Sequence, residues 1–552
     1  MINKLTNLDL ESLPSKPSEV KYQYRRTPLS PIPERELSHV PHIKTSVDDM
    51  LDSIGFGRYQ ILCYVGLGFI LINNGAELIV LSFLIAVLQN DPKWLLSGTQ
   101  IQFLSCTFFI GMLIGSLYSG KVADRYGRRP PLIVIVFLMY VLGMLSAAAT
   151  SYPSLIFVRA CHSVLMGLQF PMCHALLSEI TPPAARARMT VLSGGFLIIG
   201  KIFACLVAWG YLNNILTGNW RALFVWAAQP AIICFIILIY YVRESPKYLL
   251  LIQRNLEEGL AVMEHIATTN HYHSPRQEAA GPTDNGASLT PTAILTEKQK
   301  RGLVVWAQSQ DRKFAEETIG SVGTLWIGDY KNISLNIWAV WFSLAIAYYG
   351  INYITPLLLA VTPQEVPFAI TDTNKTQISQ TLMTIFAEIP AIAVGYWLVA
   401  KDGAGRKKSM VICFFMGGAA CFLAAFFPRS AEVLFLSISR FFITTCFISA
   451  APCLIELYPV SIRATGMGFA TAFSQLGGIL MPWIALGLYE ASAFTPLIAF
   501  SVSCVVAALC CRGLPSNTTG VDLDFQEIPH EYHEMSSFPA KDSATEKLSQ
   551  DT

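Results

Sequence analysis

The sequence predicts an all-α membrane protein with twelve transmembrane helices arranged as two six-helix bundles. Three observations carry this expectation. The 552 residues are 53% hydrophobic and only 14% charged, against about 25% charged in soluble domains. Twelve apolar stretches are long enough to cross a hydrocarbon core, which takes roughly 20 residues of helix. One loop pattern also occurs twice, at corresponding places in the two halves of the chain.

The first six apolar stretches are Tyr59–Val87, Ile101–Ser119, Leu132–Ala149, Ser154–Leu177, Thr190–Leu212 and Ala222–Val242. The second six are Ser334–Leu358, Ile378–Ala400, Met410–Phe427, Ala431–Ile455, Gly466–Tyr489 and Ala493–Cys511. They divide the chain into an N-terminal tail (1–58), a first bundle (59–242), a central loop (243–333), a second bundle (334–511) and a C-terminal tail (512–552). The central loop is polar and rich in Asn, Gly, Pro and Thr, so it predicts disorder flanked by short amphipathic helices over Ser245–Thr268 and Lys298–Ile319. The N-terminal tail is polar and Pro-rich, without the apolar core of a cleaved signal, so the first span itself is expected to direct insertion. All 13 Cys lie within apolar runs and read as small packing residues, not as a disulfide framework or a metal site.

Loop charge predicts the orientation. With the N-terminus in the cytoplasm, 32 of the 39 Lys and Arg fall on the cytoplasmic side, 4 on the opposite side and 3 within spans. The positive-inside rule then places both termini in the cytoplasm. Of the sequons at Asn332, Asn374 and Asn517, only Asn374 falls in an outward loop and is the expected glycosylation site.

The fourth span ends in Glu179-x-x-Pro182-x-x-x-Arg186-Ala187 and the tenth in Glu456-x-x-Pro459-x-x-x-Arg463-Ala464. A second pair is Asp124-Arg125-Tyr126-Gly127-Arg128-Arg129 after the second span and Asp402-Gly-Ala-Gly-Arg406-Lys407-Lys408 after the eighth. Two parallel six-helix halves are the signature of a transporter that rocks about a central site. Gly120 and Gly127 predict a tight turn, and Asp124 a helix N-cap. The Arg residues offer bidentate donors to Glu179, Glu244 and Glu456. Together these residues predict a cytoplasmic latch between the halves; the plainer alternative is that the charges only enforce topology.

Gly120–Arg129 resembles the major facilitator loop motif Gly-x-x-x-Asp-Arg-x-Gly-Arg-Arg. Arg243-Glu244-Ser245-Pro246-Lys247-Tyr248-Leu249 resembles the motif that follows the sixth span in sugar porters and organic-ion transporters. Ile54–Gln60, Ala387–Pro390, Gly405–Met410, Glu456–Gly468 and Leu514–Gly520 are similar to the synaptic-vesicle-protein-related branch. The resemblance covers about residues 50–525 and implies the major facilitator fold and secondary active transport. The sequence departs from the pattern in four places. The outward loops at Gln89–Gln100 and before the eighth span are short, span seven lacks the Gln-Gln pair of sugar porters, and Gly403 replaces a motif Arg.

Five ionisable residues lie well inside spans, where charge is costly without a partner or a wet cavity. They are Glu77, Arg159, Lys201, Glu388 and Arg440. Glu77 and Arg159 sit at matching depth on spans one and four, which the resemblance implies are neighbours. The pair looks like the acid–Arg arrangement of proton-coupled sugar porters, with a static ion pair as the alternative. Asn73 shares the face of Glu77, and Asn74 stands where relatives often carry a second acid. Arg440 is the repeat counterpart of Arg159, with Glu388 as its expected structural partner and Pro390 as a kink. Lys201 either faces the cavity to attract an anion or pairs with Glu77 or Glu388. Tyr348, Tyr349, Asn352 and Tyr353 are cavity candidates, on a span expected to break around Gly350 and Pro356. Gln169 and Gln475 join them as polar residues on cavity-forming spans. His162 and His174 read as hydrogen-bonded core residues.

The expectation is a secondary transporter of a small organic solute, an organic ion being favoured and protons a candidate coupling ion. The alternative is a receptor or vesicle scaffold that keeps the fold without transporting. The chain lacks a phosphate-binding glycine loop and His-Glu-x-x-His, so neither an enzyme nor ATP-driven pumping is expected. No cofactor, metal or nucleic acid is expected either, the net charge being +1. A monomer in the plasma membrane or an intracellular vesicle membrane is the expected setting. Digestion with an N-glycosidase should sharpen and lower the band of the protein expressed in animal cells, and Asn374→Gln should abolish that shift. A shift that survives the substitution would place the modification elsewhere.

Overall fold

The computed structural model describes residues 46–214, 217–271, 295, 299–307, 325–326, 328–360, 376–400, 403–427, 429–455, 457–458, 460–492 and 494–514. The first element, α1 (Val47–Ile54), lies inside the segment expected to be a tail. Ser46 and Asp49 close a capping box at its start, and Val47, Met50, Leu51 and Ile54 are buried, the i, i+3, i+4, i+7 stripe of an amphipathic helix.

The first membrane helices are α2 (Arg58–Asn90), α3 (Gly98–Tyr126), α4 (Arg129–Ala147), α5 (Tyr152–Ile180), α6 (Pro183–Tyr211) and α7 (Trp220–Tyr240). A two-stranded antiparallel ribbon, β1 (Leu212–Asn214) with β2 (Thr217–Gly218), lies between α6 and α7. One π-helical turn at Tyr248–Ile252 and α8 (Leu256–Thr269) follow. They replace the single helix expected over Ser245–Thr268. Arg254 takes φ +58° between them, and Asn255 caps α8 by accepting from the Glu258 amide.

The second set is α9 (Gly328–Ala360), the pair α10 (Thr376–Phe386) and α11 (Ile389–Val399), α12 (Gly403–Phe426), α13 (Arg429–Ile455), α14 (Val460–Tyr489) and α15 (Thr495–Arg512). Among the described residues twelve stretches are long and apolar enough to cross a membrane, α10 and α11 counting as one. Each predicted span overlies one of them. Large apolar side chains such as Phe137, Phe157, Ile236, Phe415 and Leu509 are exposed, as lipid-facing positions require. The described cysteines are free and buried or half-buried within the helices.

Two local expectations need correction. Span seven is one unbroken helix, α9, through Gly350 and Pro356. Gly350 is a packing position instead, since a Cβ there would lie 2.4 Å from the Phe500 ring. The break falls in span eight, at Ala387–Glu388, where Pro390 in the first turn of α11 has no N–H to continue the helix. Likewise Gly120 is inside α3, and the turn to α4 is made by Gly127 alone, at φ +88°.

Within the first half α3 packs on α5, α2 on α6 and α7, and α4 on α5 and α7; in the second α9 packs on α14 and α15, and α12 on α13 and α15. The halves meet where α3 lies on α14, α2 on α9, and α6 on α10, α11 and α13. At several crossings glycines bring backbones into contact. A Cβ on Gly115 would lie 2.1 Å from the Val164 carbonyl oxygen, and one on Gly200 2.0 Å from that of Ile72. Gly200 therefore admits the α2 backbone. Gly115→Val should destabilise the protein by on the order of 1–3 kcal/mol through overpacking, read as a lower melting temperature in detergent. Gly120→Ala, with nothing within 4 Å of its Cβ position, should leave melting unchanged.

Candidate functional site

Among the described residues two buried ion clusters lie between the membrane helices. The first lies within the first half. Arg159 Nη2 of α5 donates to Glu77 Oε2 of α2 at 2.7 Å, and neither side chain is appreciably exposed. The Arg159 guanidinium also lies 4.9 Å from the Phe224 ring of α7, a cation–π contact. His162 Nε2 is 3.7 Å from Glu77 Oε1. Glu77 Oε1, Arg159 Nη1 and both His162 ring nitrogens are buried without a hydrogen-bond partner among the described residues. His162 is thus not the hydrogen-bonded core residue expected, whereas His174 Nδ1 lies 3.0 Å from the Phe170 carbonyl.

Polar neighbours complete this half. Asn73 Nδ2 donates to the Ala227 carbonyl at 2.7 Å, so its amide ties α2 to α7. Gln169 Nε2 donates to Asn74 Oδ1 at 2.8 Å. Asn74 is therefore the partner that holds Gln169 in place.

The second cluster crosses between the halves. Glu388 stands at the break between α10 and α11 as the N-cap residue of α11, where the helix dipole favours an anion. Its Oε2 accepts from Lys201 Nζ of α6 at 2.7 Å. Its Oε1 accepts from Arg440 Nη2 at 2.6 Å and Nε at 2.9 Å, and Arg440 Nη2 also donates to Asn352 Oδ1 at 2.6 Å. Lys201, Asn352, Glu388 and Arg440 are all 0% exposed. The Lys201 ammonium lies 4.5 Å from the Tyr348 ring, and that ring stacks on Phe447 at 3.9 Å. The two cations and one anion leave a surplus positive charge. Lys201 is paired with Glu388, one of the two alternatives read for it, and is not open to an anion in this arrangement.

Of the remaining cavity candidates, Tyr349 and Tyr353 serve contacts between halves. The Tyr353 hydroxyl is 2.8 Å from Ser105 Oγ, and Ser82 Oγ donates to the Tyr353 carbonyl. Tyr349 packs its ring on Phe109 of α3 at 4.9 Å. Gln475 is buried, its Oε1 without a partner among the described residues.

The charged layer at the loops differs from the expected latch. Arg128 Nη2 reaches Glu179 Oε1 at 3.1 Å. The carboxylate of Glu244 accepts from the backbone amides of Arg128 and Arg129, both at 3.1 Å, so Glu244 and not Asp124 receives the N-terminus of α4. Burial raises the Glu244 pKa despite these bonds. Asp124 ends α3, exposed and 3.8 Å from Arg128. Arg125 lies over the Tyr126 ring. Arg186 Nη2 donates to Asp48 Oδ1 at 2.8 Å, and Lys247 Nζ to Asp48 Oδ2 at 2.7 Å. Every one of these contacts joins elements of the first half and its flanks. Arg406 lies at the start of α12. Asp402, Glu456 and Asn374 lie outside the described residues, as does the side chain of Arg463.

The family described as Sugar (and other) transporter matches residues 81–529 of this chain. The chain belongs to that family. Synaptic vesicle 2-related protein of Rattus norvegicus is 29% identical over 498 residues, covering 88% of this chain and 83% of the relative. Organic cation/carnitine transporter 7 of Arabidopsis thaliana is 29% identical over 498 residues, covering 87% and 95%. The partially occluded inward-open form of the xylose transporter XylE from E. coli superposes with a TM-score of 0.63 at 16% identity, over 82% of this chain and 98% of that one. As a sugar-transporter-family member with twelve membrane-length helices, the chain is a membrane transporter of the major facilitator superfamily.

Asp48 was not among the residues picked out from the sequence, because its partners lie 138 and 199 residues away. Burial pushes its carboxyl up, but Lys247 and Arg186 outweigh burial and hold it below its ordinary value. A carboxylate with a lowered folded pKa contributes stability that is full above the unfolded value, about 3.9, and is lost as pH falls through the folded value. Protection of the 47–54 amides against hydrogen exchange, relative to their intrinsic rates at each pH, should therefore be high at neutral pH and fall in acid below that value. In Asp48→Asn the exchange should be fast already at neutral pH.

Proposed function

We propose that the chain moves a small organic ion across the membrane by alternating access of its two halves, with protons as the coupling ion. The observation that carries this reading is the buried Lys201–Glu388–Arg440 cluster, which puts a surplus positive charge at the seam between the halves. A scaffold has no use for three desolvated charges there, because an apolar seam of the same volume is at least as stable. A transporter has a use for a pair that must part whenever the halves rock. An anionic group of the solute would compete with Glu388 for Lys201 and Arg440, and so couple occupancy to the separation of the halves. On this reading both termini are cytoplasmic.

Coupling is assigned to Glu77 and Arg159. Arg159 pairs with the Glu77 carboxylate; in the proposed cycle protonation removes the charge of one partner, releases the guanidinium and changes the balance between conformations. The name of the Arabidopsis thaliana relative includes organic cations and carnitine, so the test solutes are radiolabelled organic anions, cations and zwitterions, carnitine among them. Purified protein in proteoliposomes should accumulate at least one of them when an inward proton gradient is imposed. Glu77→Gln should abolish that accumulation and spare exchange of the same solute across the membrane. Accumulation that persists in Glu77→Gln would make Glu77 structural, and no uptake of any solute by folded protein would support the scaffold reading.

A further inference from the structure

His162 is the one described histidine whose two ring nitrogens are both buried and without a hydrogen bond. It lies at 0% exposure on α5, three residues after Arg159 and thus one helical turn along the same face. Its Nε2 stands 3.7 Å from Glu77 Oε1, the carboxylate oxygen that Arg159 does not occupy. That oxygen is itself unpartnered. Glu77 on α2 and Arg159 on its own helix are the charged groups that act on the ring.

An imidazole left in this way is costly. A buried polar atom without a partner forfeits the hydrogen bond it made to water, and His174 on the same helix avoids part of that cost by meeting a backbone carbonyl. A group with two free nitrogens, one of them facing a free carboxylate oxygen, is also what a proton needs in order to pass through. Closing from 3.7 Å to hydrogen-bonding distance takes an approach of about 1 Å, within the reach of a small ring rotation.

We propose that His162 relays the coupling proton to Glu77. An incoming hydronium gives a proton to Nδ1, forming imidazolium and leaving water. The Nε2–H bond then breaks as the Oε1–H bond forms. The ring ends neutral with its proton on Nδ1, Glu77 ends as the neutral acid, and Arg159 keeps its charge. This inference rests on the coupling role proposed for Glu77.

The test needs no solute. Full-length protein in lipid nanodiscs is given a proton pulse from a photolysed caged acid, and the infrared carboxylic-acid band of Glu77 is followed in time. The band is identified by its loss in Glu77→Gln. His162→Gln should reach the wild-type amplitude at a rate slower by on the order of a hundredfold. His162→Ala should be slowed similarly, and added imidazole should restore its rate. A wild-type rate in His162→Gln overturns the relay. So does a reduced final amplitude in both variants, which would make His162 a positioning residue for the ion pair, or slowing in His162→Ala that imidazole leaves untouched. If the wild type itself shows no band that Glu77→Gln removes, the coupling role of Glu77 fails, and the relay falls with it; the wild-type trace tells the two failures apart.

Discussion

A hydrocarbon core offers no water to a charge or to a bare peptide group, and the interior of this chain is arranged around that fact. The five charges read deep inside its spans are gathered into two sites, one within a half and one between halves. Glu388 is the point on which the second site turns. It satisfies Lys201 from one half and Arg440 from the other, and it can do so because Pro390 interrupts the helix and leaves it at an N-terminus. The break sets the carboxylate at a helix N-terminus, where the dipole favours its charge.

The two kinds of contact divide the labour. Within a half, glycines let backbones touch, as Gly115 does against Val164 and Gly200 against Ile72, and such crossings are stiff because nothing in them can be repacked. Between halves, the seam is made of side chains that can part. They include the Ser105–Tyr353 hydrogen bond, the Phe109–Tyr349 contact and the Lys201–Glu388 pair. Rigid halves joined by a separable seam are what the proposed rocking motion requires.

The broad architecture was legible because hydropathy over twenty residues averages out local detail. The pairings of Glu77 with Arg159 and of Glu388 with Arg440 were legible for a different reason, since few charges tolerate that depth and each needs a partner. The rest depended on three-dimensional facts that no spacing encodes. Lys201 had two acids in reach on paper, and only the packing of α6 on α10 and α11 selects Glu388. Gly350 looked like a helix break and is a socket for Phe500. Asp124 looked like a cap, but α3 runs through Gly120, and Glu244 arrives from beyond α7 to take the position. The stripe of Val47, Met50, Leu51 and Ile54 was visible in the letters, but it is too short to stand out beside spans three times its length.

The surplus charge of the Lys201–Glu388–Arg440 cluster has an electrical consequence. Moving one elementary charge through the whole of a 100 mV membrane potential involves about 2.3 kcal/mol. The proposed rocking step, which separates Lys201 on the first half from Glu388 and Arg440 on the second, displaces charge through part of that field. Membrane voltage then acts on the conformational step itself, even for a solute that carries no net charge.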